Sequence, residues 1–110
     1  MSTLAVARLQ NVNMGPAIIE YLERIDATLE PYGGRFLVHG GKFEQLEGNW
    51  SGDLIIIEFA DRATARAWYN SPSYQAILPL RMSNSEGEII FIDTVAADHR
   101  ATDVLVARET

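Results

Sequence analysis

The sequence predicts an α+β domain laid out as βαββαβ, with a four-stranded antiparallel sheet and both helices on one face. Three observations carry this. Strand-like and helix-like runs alternate in that order along the chain. Two runs, "LIIIEF" at 54–59 and "EIIFIDTV" at 88–95, are apolar on both faces, as strands covered from both sides are. Turn residues cluster between the runs: Gly33-Gly34, Gly40-Gly41 and "SNSEG" at 83–87.

The elements follow in order. "LAVARLQ", 4–10, reads as a short first strand. Pro16 suits the first position of a helix. Ile18, Leu22, Ile25, Leu29 and Tyr32 then recur at helical spacing, with acids and Arg24 on the remaining surface, so this helix buries one side. Gly33 and Gly34 stop it. "RFLVH", 35–39, is a second strand, in which strict alternation puts Arg35, Leu37 and His39 on one face and Phe36 and Val38 on the other. Gly40 and Gly41 let it leave the sheet, through a bulge if the register demands one. A polar loop leads to the third strand, 54–59. Asp61 is placed to cap a helix over 62–70, with Ala65, Trp68 and Tyr69 as its buried stripe. Ser71-Pro72 restarts a short helix to about residue 77, limited by Pro79. The last strand spans 88–95.

This order is the split-βαβ pattern of ferredoxin-like folds. The helices cover only one face of the sheet, and the other face is also apolar. Such a face would not stay exposed in a soluble monomer. The expected solution is a homodimer in which two sheet faces pack together, forming a dimeric α+β barrel. One domain over 1–95 accounts for the pattern. Residues 96–110 are an extension, and "DVLVARET" reads either as an arm strand reaching over the partner or as a tail.

Composition narrows the partners. The chain has 110 residues, 47% of them hydrophobic, which is enough for a core. Nine basic against fifteen acidic residues give a net charge of −6, and no basic stripe exists. Nucleic acid and anionic membrane are therefore disfavoured as partners. The longest apolar run is four residues, far short of a membrane span. There is no cysteine, so thiolate zinc sites and disulfides are excluded and a reducing cytoplasm is the expected setting. The first residues read as no secretory leader. No phosphate-binding glycine loop and no paired metal-ligand histidines occur, so neither a cofactor nor a metal is expected. A haem would have only His39 as a reasonable axial ligand.

The segments "GGRFLVHGG", "LEGNW", "IEF" and "AWYNSPSYQAI", followed by Arg81, resemble the domain-of-unknown-function 1330 family, within the dimeric α+β barrel superfamily. The likeness spans 33–81, and the topology extends it to about 4–95. It implies a ferredoxin-like protomer and a sheet-to-sheet homodimer, and it implies no established reaction. Related families include cofactor-free monooxygenases, small-lactone isomerases and haem-dependent enzymes, many with a pocket between sheet and helices. The chain departs from the family pattern at Ala60, at Gly52-Asp53 and at Gly15.

Seven residues are candidates for a site. His39 suits a general base, or is simply a polar residue at a strand end. Arg35 can hold a carboxylate or enolate, or pair with an acid such as Glu47 or Glu58. Trp50, Trp68, Tyr69 and Tyr74 can shape an apolar cavity, although the helical spacing of Trp68 favours core packing for it. Arg81 projects into a pocket or over a dimer seam, or is solvated. Together they suit a small organic acid or an aromatic ligand. Three functions compete: a cofactor-independent enzyme on a small carbonyl, enol or aromatic substrate, a non-catalytic metabolite-binding dimer, and a protein-interaction dimer.

Overall fold

The computed structural model describes residues 1–109, with side chains to Val106. Its elements are β1 (Thr3–Gln10), α1 (Pro16–Leu29), a single tight turn over Glu30–Tyr32, β2 (Arg35–His39), β3 (Asp53–Phe59), α2 (Arg62–Tyr69), α3 (Pro72–Met82), β4 (Glu86–Asp93) and α4 (Asp103–Glu109). The strands pair antiparallel in the order β2-β3-β1-β4. The predicted βαββαβ unit and its four-stranded sheet are present.

Register decides which side chains share a face. Ala5 of β1 lies opposite Ile57 and Phe91, and Ala7 lies opposite Ile55 and Ile89. These residues face the helices. Val6 lies between Ile56 and Ile90, and Leu4 between Glu58 and Ile92, on the other face. The helix-side core gathers Phe59, Ala65, Trp68, Tyr74 and Ile77, all buried. Trp68 is locked by its indole N–H, which donates to Thr28 Oγ1 at 3.0 Å. On the opposite face Ile90 and Ile92 are exposed.

Four expectations are corrected. First, the buried stripe of α1 is Ile18, Tyr21, Ile25, Thr28 and Leu29. Tyr21 is 8% exposed and Leu22 is 39% exposed, because both fit the helical period and the larger ring takes the inner position. Second, α3 runs through Pro79 to Met82. Its last turn is held from beyond its end, where Asn84 Nδ2 donates to the Leu80 carbonyl and Ser85 Oγ to the Arg81 carbonyl, both at 2.8 Å. Third, β4 starts and ends two residues earlier than expected. Gly87 permits this: its φ is 147°, and a Cβ there would run into the Arg8 carbonyl. Fourth, residues 103–109 form the short helix α4, where an arm strand was one expectation. Thr110 lies outside the described residues.

The bulge in β2 matters most for the site. The pairing slips between Phe36, opposite Ile57, and Val38, opposite Ile56. Leu37 is the extra residue, so the irregularity lies inside the strand and not at Gly40-Gly41. Strict alternation therefore fails. Arg35, opposite Glu58, stays on the open face, while His39, opposite Ile55, is turned to the helix face with Phe36.

Candidate functional site

A cavity of about 420 Å³ lies between α1 and the helix-facing side of the sheet. Its origin is in the sequence of β1. Ala5 and Ala7 are the central-strand residues beneath α1, and they are too small to reach the helix. Ile55, Ile57 and Ile89 of the neighbouring strands and Ile18 and Ile25 of α1 form the apolar walls. The buried end carries Tyr21, Trp68, Tyr74 and Arg81, and the exposed end carries His39, Gly40, Gly41 and Asp53.

The polar groups at the buried end are all hydrogen-bond donors or hydroxyls. Tyr21 and Tyr74 hydroxyls share a buried hydrogen bond of 2.8 Å. That bond uses one of their two protons and leaves the other O–H to be donated elsewhere. The Arg81 guanidinium is centred 6.0 Å from the Tyr21 ring. Arg81 is only 9% exposed, and its Nε is buried without a partner among the described residues. The four ion pairs among the described residues are Arg24–Glu20, Arg35–Glu58, Arg62–Asp93 and His99–Asp103, so Arg81 has no carboxylate. Burial works against its charge, but the neighbouring Tyr74 and Tyr21 hydroxyls more than offset this and hold its pKa above the ordinary arginine value. Burial, with the Tyr74 hydroxyl next in weight, pushes the Tyr21 phenol well above its usual value, so it stays a neutral donor. A buried cation with no anion beside it is costly. The arrangement is suited to receive an anionic oxygen.

The predicted site residues divide. Trp68, Tyr74, Arg81 and His39 line the cavity. Phe36 and His39 stack with ring centroids 4.4 Å apart and planes 14° apart. Arg35 is on the other face, its Nη2 3.0 Å from Glu58 Oε1 and its side chain 72% exposed. Trp50 sits in the 40–52 loop under Arg8, 5.2 Å from the guanidinium carbon, and lines a shallow groove there. Tyr69 packs edge-on against Phe91 and does not line the cavity. Sequence reasoning missed Tyr21 and Asp53. Tyr21 carried a usable signal, three residues after Ile18 and four before Ile25. Among the described residues no three His, Asp or Glu side chains group closely enough to hold a metal, and no helix is long and apolar enough to cross a membrane.

Comparison with known proteins supports the fold. Residues 2–95 match the family model described as domain of unknown function DUF1330. A protein of unknown function from Rhodopseudomonas palustris superposes with a TM-score of 0.66 at 17% identity, covering 86% of this chain and 84% of that one. A dimeric ferredoxin-like protein of unknown function from a Jannaschia species gives 0.65 at 12% identity, covering 86% and 100%. SnoaB, a cofactor-independent oxygenase from Streptomyces nogalater, gives 0.58 at 16% identity, covering 90% and 98%. No curated protein matches the chain.

Proposed function

We propose, from the premise that this chain belongs to the DUF1330 family of domains of unknown function, that its cavity binds a small, largely apolar organic molecule by an anionic oxygen. That oxygen sits on Arg81 and the free hydroxyl proton of the Tyr21–Tyr74 pair, and the isoleucine walls take the apolar body. The observation that carries this reading is the buried, unpartnered Arg81 Nε beside an apolar cavity. Cavities of a few hundred cubic ångströms with few convergent polar groups are the usual form of small-molecule sites.

Turnover extends the same reading. His39 would move a proton at the exposed end, and the buried donors would stabilise the charge of an enolate or phenolate. SnoaB, of similar fold, is described as a cofactor-independent oxygenase. Simple binding without chemistry is the alternative. The assembly belongs to the proposal too: the uncovered apolar sheet face with Ile90 and Ile92 suits a two-fold sheet-to-sheet homodimer, and the similarly folded Jannaschia protein is described as dimeric.

Thermal-shift and calorimetric titration with small carboxylates, phenols and their neutral analogues tests the binding site. Anions should stabilise the protein and neutral analogues should not, and the preference should vanish in Arg81→Met. Equal responses to both would overturn the reading. His39→Gln separates the two variants of it, since turnover of any accepted substrate should fall while binding persists.

A further inference from the structure

We propose that this cavity selects aromatic monocarboxylic acids, taken in carboxylate first, and rejects diacids through Asp53 at its exposed end. The inference rests on the anion-binding reading above and deepens it to a ligand class.

The buried end offers one cation, so it balances one negative charge. A guanidinium presents paired donors in a plane, which match the two oxygens of a carboxylate. The remaining hydroxyl proton of the tyrosine pair adds a third donor, and among the described residues no carboxylate pairs with Arg81. A dianionic group would bring a charge that nothing there neutralises.

The body of the ligand is set by the walls. Tyr21, Trp68 and Tyr74 stand around the buried end and Phe36 stacks with His39 near the exposed end, so aromatic surface bounds the space at both ends. Ala5 and Ala7 leave a smooth strip of sheet between them. Aromatic rings gain from edge and offset contacts with such walls beyond the area they bury.

Length and the far end complete the match. The cavity reaches from Ile89 on β4 to His39 on β2, the two edge strands of the sheet. Three strand spacings make this roughly 14 Å between backbones. An acid seated on Arg81 at the buried end has its far substituent directed toward the exposed end, where His39 and Asp53 line the cavity. A hydroxyl or amino group there can donate to the Asp53 carboxylate. A second carboxylate would meet a like charge, and the chain's net charge of −6 adds to that repulsion.

The test is calorimetric titration of the full chain with benzoate, 4-hydroxybenzoate, cyclohexanecarboxylate and terephthalate. The proposal expects 4-hydroxybenzoate to bind best and cyclohexanecarboxylate to bind several-fold more weakly than benzoate. It expects terephthalate to bind about ten-fold more weakly than 4-hydroxybenzoate. Asp53→Asn, a conservative change at an exposed position, should close most of that last gap. Terephthalate binding as well as 4-hydroxybenzoate, or a gap unchanged in Asp53→Asn, overturns the diacid exclusion. Cyclohexanecarboxylate matching benzoate overturns the aromatic preference. If carboxylates bind without these preferences, the inference falls and the anion-binding reading stands. If no carboxylate binds, both fall.

Discussion

Replacing Arg81 by methionine should not destabilise the unliganded protein. Most substitutions of buried residues destabilise, so the sign is informative. Methionine keeps the unbranched stem and removes the charge. It relieves an unsatisfied buried donor, the Nε, which costs about 1–3 kcal/mol. Against that, the cation loses its place over the Tyr21 ring at 6.0 Å, worth about 0.5–1 kcal/mol, and the favourable influence of the Tyr74 and Tyr21 hydroxyls, worth about 0.5–1.5 kcal/mol. Tyr21 and Tyr74 keep their own 2.8 Å hydrogen bond. The terms nearly cancel, and the net expectation is a change of less than about 1 kcal/mol, or less than about 4–8 °C in Tm for a domain of this size. Urea denaturation at one fixed protein concentration measures it, a precaution that the proposed homodimer requires. The same variant should lose anion binding, which is the trade between stability and function expected where a site holds an uncompensated charge. A loss of about 2 kcal/mol or more in Arg81→Met would overturn this expectation. It would mean that the guanidinium is already satisfied by the folded chain and awaits no ligand.

Other outcomes are expected at positions that do not depend on the ligand. Tyr21→Phe should cost about 1–2 kcal/mol in the same denaturation assay, because the Tyr74 hydroxyl stays buried and loses its partner. Gly34→Ala should destabilise by about 1–3 kcal/mol, since the new Cβ would lie 2.7 Å from the Phe59 ring and 2.8 Å from Leu29 in a filled core. Ile92→Glu, on the sheet face proposed to pair two copies, should leave the far-ultraviolet circular dichroism intact while light scattering gives a monomer mass in place of the dimer mass expected of the wild type. Glu58, Asp61 and Asp93 have pKa values lowered chiefly by hydrogen bonds from Ser2, Thr64 and Thr3 respectively. Their contribution is present above the ordinary carboxylate values of 4.5 and 3.8 and is lost as pH falls through the lowered ones. Tm measured from pH 6 downward should therefore hold until about pH 4 and then drop.

The topology was legible because its signals are local. The strands at 54–59 and near 88–95 announce themselves by apolar residues on both faces, and Asp61 caps α2 by accepting from the Thr64 N–H at 2.7 Å. What was not legible depends on pairing or on empty space. The slip at Leu37 is a property of two strands together, and nothing in "RFLVH" marks it. It separates Arg35 from His39, which the alternation had put side by side. Ala5 and Ala7 are plain in the sequence, but only the helix above them makes their smallness a cavity. Arg81 was a candidate, yet arginine is solvated by default, and its burial follows from α3 continuing past a proline that normally ends a helix. Tyr21 and Leu22 are neighbours that both satisfy the helical period, so composition alone could not choose between them.

The most direct test of the account compares benzoate with benzamide by calorimetric titration of the wild-type chain and Arg81→Met. The two compounds share a shape and differ in charge. One benzoate should bind per chain, with benzamide about ten-fold weaker or worse, and Arg81→Met should show no preference for the anion. Equal binding of the two by the wild type, or an undiminished preference for benzoate in Arg81→Met, would contradict it.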